Sequence, residues 1–479
     1  MRIVVAFVYT LMLLSACHPT DAQNANGELT FDFDKSNASA LLHPPGISAV
    51  VGDATDPANT TGVAVKVANG NQAISASAYI IPAKSNNETV VPNTAINITK
   101  ANGSAIVRIK PFAEGYATIT LTLTAQGHSK TLEIDYAASA NISSSLPVYW
   151  HTGVCDASNA VDLDNDYFLT GDDEQNTLFV YNRYHSGAPL TNFNYGNLLG
   201  LPDCANGMCS EVDMEAVAKS PSHPHRNYWL GSMSNGKAPK FKDKPNRNRI
   251  FATEYTLTGS QTTTTFVGYY AGLRNNIIKW GDQTGYQFSK AAAAEQDCKS
   301  PEGFNAEGMV FGPDNITLFI GLRAPMVPVG IRDKAVIVPI LNFEAWFANG
   351  TATTPPNFGS PIELDLGGRA IRDIIRLSNG TYAIAAGNSG PNVNSAIYKW
   401  TGNATDAPAL ISQFNTNNLN IEGLLEIKRN GQTAADRLEV VCDDGGQVYY
   451  GDATQAKDLA NPEFKKFKSV ILIASQNVF

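Results

Sequence analysis

The sequence predicts an all-β protein in which an N-terminal β-sandwich is followed by a β-propeller. Thr, Asn, Gly and Ser are abundant and long amphipathic repeats are absent, a composition typical of all-β secreted proteins. Strand-like runs recur in residues 29–139 at a spacing of roughly 8–12 residues, as in a sandwich. Beyond residue 148, units of four short strands recur every roughly 40–50 residues, the pattern of propeller blades.

The N-terminal strand runs are separated by Asn, Gly and Pro turn residues. Examples are GVAVKVA (62–68), AIVRIKPF (105–112) and KTLEIDYA (130–137). The segment from Gly115 to Thr124, with the Gly-centred turn after it, resembles the closing strands of bacterial Ig-like domains. This resemblance implies an Ig-like β-sandwich over residues 29–139, followed by a polar linker over residues 140–148. No cluster of His, Cys, Asp and Glu marks chemistry in this region, so a spacer or adhesive role is expected.

Five repeat units are predicted in residues 149–479, each beginning with its innermost strand. The first strands are NAVDL (159–163), EAVAKS (215–220), EGMVFG (307–312), RDIIRLS (372–378) and EGLLEIK (422–428). The fifth unit is predicted to continue with RLEVVCDD (437–444), QVYYG (447–451) and FKSVILIA (467–474). Residues 271–303 form an insert in which AAAAEQ (291–296) predicts a helix. A degenerate sixth blade in this insert is the alternative to five blades, and a pair of sandwiches is the competing architecture.

The first residues have the pattern of an export signal. An apolar stretch over residues 3–14 is too short to span a bilayer as a mature helix. It ends in Leu14-Ser15-Ala16-Cys17, which resembles the bacterial lipobox. The resemblance implies removal of residues 1–16, a diacylglycerol anchor on Cys17 and a flexible tether over residues 17–28. A plain secretory signal is the alternative.

The location and partners follow from the same end of the chain and from the charge. His18 follows the cysteine, where an aspartate would resemble an inner-membrane retention signal, so an outer-membrane lipoprotein is expected. Such a protein is periplasmic or surface-exposed within the bacterial cell envelope and contacts the membrane through its lipid anchor alone. The net charge of −9 argues against a nucleic-acid partner.

Five further cysteines are expected in an oxidising compartment. Cys204 and Cys209 flank a Gly-bearing loop and are candidates for a local disulfide. Cys155 and Cys442 lie near the two ends of the C-terminal region, so closure of a ring would bring them together as a second candidate pair. Cys298 is left over. The spacing of Cys204 and Cys209 is long for a zinc knuckle, and no second pair accompanies it.

A glutamate recurs where three of the units begin. It occurs in DMEAVAKS (213–220), NAEGMVF (305–311) and NIEGLLEI (420–427), each time before Gly or Ala and an apolar run. Alignment of the five first strands predicts one ring of equivalent positions at the channel mouth: Asn159, Glu215, Glu307, Arg372 and Glu422. The ends of the second strands predict a second ring, which includes Asp172, Asp173, Ser232, Arg323, Asn388, Asp443 and Asp444.

Three carboxylates in one channel mouth repel one another. Two of them about 6 Å apart repel by roughly 2–3 kcal/mol at an effective dielectric constant near 20, so the ring requires protonation or a cation. If Arg372 neutralises one, the residual charge suits one divalent ion at Glu215, Glu307 and Glu422, and oxygen ligands favour Ca²⁺ or Mg²⁺. The alternative is structural, with each glutamate paired to arginine or backbone N–H groups. Arg323 and Arg372 are also suited to binding an anionic group.

Several longer motifs occur in a recognisable order between residue 155 and about residue 452. They are YFLTGDDEQNTLFVY, DMEAVA, YWLGSMSNGK, NRIFAT, NAEGMVFGPDNITLFIGLRAP, LDLGGRAIRDI, IEGLLE and CDDGG. This order resembles a bacterial propeller family classed as a domain of unknown function and related to the phytase-like and esterase-like propellers. The resemblance implies the propeller fold. It also makes Glu215, Glu307 and Glu422 similar to the calcium-binding position of lactonase-type propellers, whereas the clustered aspartates of a β-propeller phytase are lacking.

Two functions of different classes are therefore carried forward. The first is a cell-envelope lipoprotein whose propeller binds a small-molecule or protein ligand at the acidic and arginine-containing channel mouth. The lipobox, the sandwich and the lack of a G-x-S-x-G nucleophile motif favour it. The second is a Ca²⁺-dependent phytase-like or esterase-like hydrolase of phosphoesters, esters or lactones, in which the metal polarises a substrate oxygen. The sequence assigns no catalytic residue.

Overall fold

The computed structural model describes residues 28–35, 46–142, 145–164, 166–204, 209–236, 239, 241–257, 261–347, 354–389 and 394–479. Residues 1–16, Cys17 and the tether up to residue 27 lie outside the described residues, so the export and lipidation predictions stay predictions. The prediction of an all-β protein is confirmed, since the chain forms several separate sheets. In the described ranges, no helix is long and apolar enough to cross a membrane.

Residues 29–139 form two sheets, A and B, and one short helix, α1 (Pro57–Thr60). The strands in chain order are β1 (Leu29–Phe33), β2 (Gly46–Val50), β3 (Val63–Asn69), β4 (Gln72–Ala73), β5 (Tyr79–Ile80), β6 (Ala83–Ser85), β7 (Ile96–Ala101), β8 (Ser104–Ile109), β9 (Gly115–Ala125) and β10 (His128–Ser139). Sheet A has the order β1-β3-β8-β7, with β4 beside β3, and sheet B has the order β2-β10-β9-β5, with β6 beside β9. Strand β2 runs parallel to β10.

Alternation of apolar and polar residues explains how sheets A and B pack. In β9, Ile119, Leu121 and Leu123 alternate with threonines and are fully buried. Because successive side chains of a strand point to opposite faces, this pattern buries one face of the sheet. The buried face shares one core with Val65 and Val107 of sheet A. The two sheets therefore enclose a common hydrophobic core.

The remaining chain forms five four-stranded sheets, sheets 1 to 5, after β11 (Val148–Thr152). Sheet 1 contains β12 (Val161–Asp162), β13 (Tyr167–Asp172), β14 (Gln175–Asn182) and β15 (Thr191–Asn194). Sheet 2 contains β16 (Met214–Lys219), β17 (Arg226–Gly231), β18 (Ile250–Thr256) and β19 (Thr263–Tyr270). Helices α2 (Leu273–Gln283) and α3 (Phe288–Ala291) follow. Sheet 3 contains β20 (Asn305–Phe311), β21 (Leu318–Val327), β22 (Lys334–Ile340) and β23 (Ile362–Leu364).

The last two sheets complete the series. Sheet 4 contains β24 (Ala370–Arg376), β25 (Tyr382–Gly387), β26 (Ala396–Trp400) and β27 (Ala409–Leu410). Strand β28 (Ile421–Leu425) begins sheet 5, and β29 (Lys428–Arg429) and β30 (Gln432–Thr433) form a separate hairpin. Sheet 5 continues with β31 (Arg437–Cys442) and β32 (Lys466–Ile473). Short 3₁₀ helices lie at Asn93–Ala95, Gly196–Leu198, Pro245–Arg247, Phe343–Phe347, Ala456–Asp458 and Pro462–Phe464.

The first strands of sheets 1 to 5 contact one another in a closed cycle. Strand β12 contacts β16, β16 contacts β20, β20 contacts β24, β24 contacts β28, and β28 contacts β12. Each sheet is antiparallel and its strands follow the order of the chain, apart from the last strand of sheet 5. The five first strands are therefore the innermost strands, and the polar side chains at their starts lie near one another.

Sheet 5 corrects the predicted composition of the fifth unit. Its fourth strand is β11, which pairs antiparallel with β32, so that Val148 lies opposite Val470 and Thr152 opposite Lys466. The segment QVYYG (447–451) is not a strand of any sheet, although Val448 forms an isolated bridge with Gln455. The prediction failed because Val-Tyr-Tyr has high β-propensity, whereas the pairing partner lies some 300 residues away in sequence.

The insert between sheets 2 and 3 also differs from its prediction. Residues 271–303, all of them described, contain two helices and no strand, so no sixth sheet lies there. Helix α3 ends at Ala291, where the AAAAEQ helix was predicted to begin, and α2 lies upstream of it. The α2 side chains Ile277 and Trp280 pack into a core shared with sheets 2 and 3. Burial of this apolar face, rather than alanine propensity, fixes the helix position.

Sheet B packs against sheet 5 through a mixed apolar and polar contact. Val50 and Ala137 share a cluster with Trp150, Tyr449 and Tyr450. The ammonium group of Lys466, which is fully buried, donates a 3.0 Å hydrogen bond to the carbonyl oxygen of Ala49. It also lies 5.1–5.5 Å from the ring centroids of the same three aromatic residues, a cation–π arrangement. The N-terminal sheets are thus docked on the sheet that closes the cycle.

Candidate functional site

Four of the five predicted ring positions lie at irregularities in strand pairing. The register shifts between Met214 and Ala216 in β16, and again in β20, β24 and β28. The residues left without a cross-strand partner by these shifts are Glu215, Glu307, Arg372 and Glu422. A β-bulge leaves one residue unpaired and re-aims its side chain. These bulges bring oxygen atoms of the three glutamates within 4.8 Å of one another.

Close packing explains the glycine that follows two of these glutamates. A Cβ atom at Gly423 would lie 2.9 Å from the backbone nitrogen of Ala160, next to the predicted ring residue Asn159. A Cβ atom at Gly308 would lie 2.7 Å from the side chain of Ile371. Neighbouring first strands therefore approach too closely for a larger residue. The glycine of the Glu-Gly motif therefore allows the close packing between sheets.

Two arginines neutralise Glu307 and Glu422. Glu307 accepts from Arg323, with Nη1 to Oε1 at 2.8 Å, and its Oε2 lies 2.8 Å from Nη1 of Arg372. Asn305 Nδ2 donates to Glu307 Oε1 at 3.1 Å. The other terminal nitrogen of Arg372 pairs with Glu422. Within this group, two positive charges therefore balance two negative charges, and the structural alternative applies to these two glutamates.

Burial acts to lower the pKa of both arginines, but the neighbouring charges affect the two differently. Burial, together with the neighbouring charge of Arg323, lowers the pKa of Arg372 below its usual range. For Arg323, burial also opposes the charge, but the adjacent carboxylate of Glu307 outweighs it and holds the pKa above the usual value. Arg323 therefore forms an ion pair with Glu307, whereas Arg372 forms ion pairs with both Glu307 and Glu422. Neither is a free anion-binding group.

Glu215 differs from the other two glutamates. It is 8% exposed, and within the part of the chain that the structure describes its carboxylate has neither a hydrogen bond nor an ion pair. Burial, followed by the charges of Glu307, Asp213 and Asp173, raises its pKa well above the usual range. Among the described residues, Glu215 is therefore the ring glutamate without an ion-pair partner, although the charge of Arg372 acts on it from a greater distance.

A second group of acids surrounds Glu215. Oxygen atoms of Asp173, Asp213 and Glu215 lie within 4.8 Å of one another. Asp213 pairs with Arg247 at 2.8 Å, whereas Oδ1 of Asp173 is buried without a hydrogen-bond partner. Burial, then the charge of Asp213, raises the pKa of Asp173 well above its usual range. Two carboxylates at this separation repel by roughly 3 kcal/mol at an effective dielectric constant near 20.

These groups line a cleft of about 750 Å³, which we call the central cleft, at the end of the cycle where the first strands begin. The acidic side chains that line it, among the described residues, are Asp156, Asp173, Glu174, Asp213, Glu215, Glu422 and Asp443. The basic side chains are Lys242, Lys244, Arg247, Lys299, Arg323 and Arg372. Most other lining side chains are Ser, Thr, Asn or Gln. The cleft is therefore hydrophilic and charged with both signs.

Some predicted site residues do not line the central cleft. Asn159 is fully buried, and its Oδ1 accepts a 3.0 Å hydrogen bond from the backbone of Gly171. Asp172 accepts from the backbone of Glu174 at 2.9 Å, and burial, then the charge of Asp156, raises its pKa to about 8. Both side chains therefore accept hydrogen bonds from the backbone of sheet 1 or of the turn that follows β13. Glu307 is fully buried and does not line the cleft either.

The predicted second ring is divided in the same way. Asp443 lines the cleft and accepts a 3.0 Å hydrogen bond from Asn420, and Asn388 also lines it. Asp444 is buried and paired with Lys468. Ser232 is buried and hydrogen-bonded to Ser234 at 2.9 Å. The end of a second strand therefore does not by itself place a side chain in the cleft.

Sequence reasoning missed Asp213 and Arg247 as members of the site. Asp213 stands two residues before Glu215 in the same DMEA motif, and its φ of 57° places it in a left-handed conformation that Asp tolerates better than most residues. Arg247 belongs to the basic run over residues 237–249. The acidic motif was a usable signal for Asp213. Its partner Arg247 lies in a 3₁₀ helix 34 residues later, and the spacing of the two residues in the sequence does not indicate that they pair.

The cysteines follow one of the two predicted pairings. Cys204 and Cys209 form a disulfide. Cys155 and Cys442 are buried free thiols, so the second predicted pair is wrong. Cys155 instead donates to Asp156 Oδ2 at 2.9 Å. Ring closure does bring the two backbone segments near each other, because Asp156 and Asp443 form an isolated bridge, but the thiols have separate surroundings.

No protein-family model and no curated protein matches the chain. Among solved structures, a "Putative phosphatase" from Bacteroides thetaiotaomicron is 10% identical with a TM-score of 0.28, over 93% of this chain and 99% of that chain. A quinonprotein alcohol dehydrogenase-like protein from the same organism is 11% identical with a TM-score of 0.25, over 90% and 97%. A DUF4623 family protein from Bacteroides eggerthii is 7% identical with a TM-score of 0.26, over 87% and 89%. Similarities at this level carry no argument about the function of this chain.

Proposed function

We propose that the chain is a cell-envelope lipoprotein in which an Ig-like sandwich (29–139) carries a five-bladed β-propeller (149–479). We further propose that the propeller binds a small charged ligand in the central cleft. The closed cycle of first strands supports the propeller, since blades packed around an axis bury faces that no single blade buries alone. The lipobox ending at Cys17 supports anchoring in the outer membrane.

The unpaired carboxylate of Glu215 carries the ligand-binding proposal. Glu307 and Glu422 have arginine partners, whereas Glu215 lines the cleft with no partner among the described residues. A buried charge without a partner lowers stability. Groups of this kind with strongly perturbed pKa values cluster at functional sites. Because the cleft lining is charged and amide-rich, it fits a hydrophilic ligand that carries charge.

Thermal-shift measurements on the purified protein test this function. The probes are inorganic phosphate, a hexose phosphate, a hexuronic acid and a dicarboxylate, each with and without Ca²⁺. At least one probe is expected to raise the melting temperature, and Asn394→Trp, which adds bulk at the exposed cleft rim, is expected to abolish the shift. Asn97→Trp, at an exposed position of sheet A, is the matched control. A panel without any shift, or a shift that survives Asn394→Trp, contradicts binding in the cleft.

The carboxyl groups of raised pKa favour a second candidate, the Ca²⁺-dependent hydrolase. Burial raises the pKa of both Asp173 and Glu215, and a raised pKa favours the protonated carboxyl group that general-acid catalysis requires. Release of 4-nitrophenol from its phosphate and acetate esters, and opening of a γ-lactone, measure this activity. Turnover that requires Ca²⁺ and is lost in Asp173→Asn is expected for the hydrolase. Turnover unaffected by that substitution contradicts it.

A further inference from the structure

The charges around Glu215 do not balance, unlike those around Glu307. In the group formed by Asp173, Asp213 and Glu215, the ion-pair partner found in the described part of the chain is Arg247, which pairs with Asp213 at 2.8 Å. The neighbouring Glu211 has its own partner, Lys244, at 3.0 Å, although it also contacts Arg247. Asp173 and Glu215 are left with a formal charge of −2. This charge equals that of one divalent cation with the opposite sign.

We propose that Asp173, Asp213 and Glu215 bind one divalent metal ion, and that Ca²⁺ is the preferred ion. The inference deepens the proposed function and rests on it, because the ion would lie in the central cleft and complete the surface that meets the ligand. It moves the ion from the predicted group of Glu215, Glu307 and Glu422 to the neighbouring group that shares Glu215. In the predicted group of three glutamates, Arg372 pairs with Glu307 and Glu422. The guanidinium group occupies the space and neutralises the negative charge that a metal ion would require.

The geometry of the three carboxylates suits a calcium coordination sphere. Ligands on opposite sides of a Ca²⁺ ion are about 4.6–5.2 Å apart, since each Ca–O distance is about 2.3–2.6 Å. The three oxygen atoms lie within 4.8 Å of one another, so they fit around one such ion. Carboxylate oxygens are hard ligands, which favour Ca²⁺ and Mg²⁺ over transition metals. The openness of the site to the cleft leaves positions for water or a ligand.

An independent observation separates this group from an ordinary acidic cluster. The Glu215 side chain is more than nine-tenths buried, faces the cleft and has no hydrogen-bond or ion-pair partner in the described part of the chain. Oδ1 of Asp173 is also buried and has no hydrogen-bond partner there. Folding has therefore removed Oδ1 of Asp173 from bulk water without supplying a donor, and it holds the Glu215 carboxylate against the cleft without a donor from the described part of the chain. A bound cation supplies the missing interaction.

Isothermal titration of Ca²⁺ into chelator-treated full-length mature protein tests the site. One ion per chain is expected, with a dissociation constant on the order of 10⁻⁴ M as in extracellular calcium modules, and with weaker binding of Mg²⁺. Glu215→Gln and Asp173→Asn are each expected to weaken Ca²⁺ binding by about tenfold or more. Both substitutions keep the side-chain shape and remove a repelling charge, so the melting temperature without Ca²⁺ is expected to be unchanged or higher.

Two further variants make the assignment specific. Asp443→Asn removes a carboxylate from the same cleft but outside the proposed group, and it is expected to weaken binding less than about fivefold. Glu422→Gln tests the group of three glutamates and is also expected to leave most of the affinity. Absence of Ca²⁺ binding up to 10 mM (about 100 times the expected constant), or equal affinity in Glu215→Gln, overturns the proposal. A loss in Glu422→Gln that matches the loss in Glu215→Gln also overturns it.

The failure of this site and the failure of the proposed function give different results. Ca²⁺ is titrated without any organic compound, so a missing calcium signal overturns the metal site alone. Charged compounds that shift the melting temperature without Ca²⁺ and depend on Asn394 would then still support the ligand-binding function. A calcium signal together with a silent compound panel supports the metal site and contradicts that function.

Discussion

The guanidinium group of Arg183, the residue that follows β14 of sheet 1, forms a buried ion pair with Glu439 in sheet 5. Nη2 of Arg183 lies 2.7 Å from Oε2 of Glu439, and the two side chains are 1% and 0% exposed. Nη2 of Arg183 also donates to the backbone carbonyl oxygen of Glu426 at 2.9 Å. The ion pair joins sheet 1 to sheet 5, the first and last sheets of the cycle.

Removal of one partner of this pair is expected to destabilise the protein strongly. Arg183→Met leaves the Glu439 carboxylate buried and unpaired, which costs about 3–5 kcal/mol in the free energy of unfolding. Urea unfolding followed by tryptophan fluorescence measures the change. Arg429→Met is the control, because Arg429 pairs with Asp436 at the surface with 54% of its side chain exposed. Its loss is expected to cost less than about 1 kcal/mol, and equal costs for both variants would contradict the interpretation.

Glu215 and Glu307 are expected to respond oppositely to the same substitution. Without Ca²⁺, Glu215→Gln removes an unpaired charge beside other carboxylates and is expected to raise the free energy of unfolding by about 1–3 kcal/mol. Glu307→Gln leaves Arg323 and Arg372 short of a counter-charge and is expected to lower it by about 3 kcal/mol. Denaturant unfolding of both variants in chelator measures the difference. Destabilisation by both substitutions would show that Glu215 has a structural partner.

A buried histidine is expected to make the closing sheet sensitive to acid. His151 of β11 lies among the rings of Phe168, Tyr181 and Phe467, and burial lowers its pKa to about 3. The unfolded chain, with a histidine pKa of about 6.5, binds more protons between these values. Stability is therefore expected to fall as the pH decreases below about 6.5, by about 2 kcal/mol at pH 5.

Unfolding measured across this pH range checks the assignment. His151→Phe removes the titrating group while keeping a ring in the aromatic cluster, so the slope of stability against pH between 6.5 and 5 should become flatter. His185→Phe, at an exposed position, should leave the slope unchanged. An unaltered slope in His151→Phe would assign the acid sensitivity to other groups.

The thiols provide a direct check of the disulfide pattern. Alkylation in denaturant without a reducing agent, followed by mass spectrometry of the peptides, is expected to label Cys155, Cys298 and Cys442 and to spare Cys204 and Cys209. In the native protein, the three free thiols are buried and should react slowly. A peptide that links Cys155 to Cys442 would contradict the structure.

The sequence predicted local patterns well and distant partners poorly. The strands of sheets 1 to 4 follow hydrophobic patterns and turns within about 50 residues, so they were readable. The β11–β32 pairing joins residues 148–152 to residues 466–470, and no local pattern marks such a pair. The segment QVYYG has the composition of a strand, but it forms only an isolated bridge, between Val448 and Gln455, and joins none of the sheets described.

The candidate site shows the same division. Alignment of first strands brought Glu215, Glu307 and Glu422 to equivalent positions because the repeat itself sets them. Which glutamate keeps an unpaired charge depends on where Arg323 and Arg372 direct their guanidinium groups. The alignment of first strands could not predict which of the three glutamates has an arginine partner. A long arginine side chain reaches a neighbouring sheet, and the spacing of residues in the sequence does not indicate its direction.

The pairing of β11 with β32 has a consequence for the order of events during synthesis. The outer strand of sheet 5, β11, lacks its pairing partner until residues 466–470 of β32 have left the ribosome, so sheet 5 stays incomplete while nearly all of the chain is made. Contacts between such distant segments form slowly because a long loop must close first. The pairing of β11 with β32 is therefore expected to be a late step of folding, because it cannot form before the last strand of the chain is available.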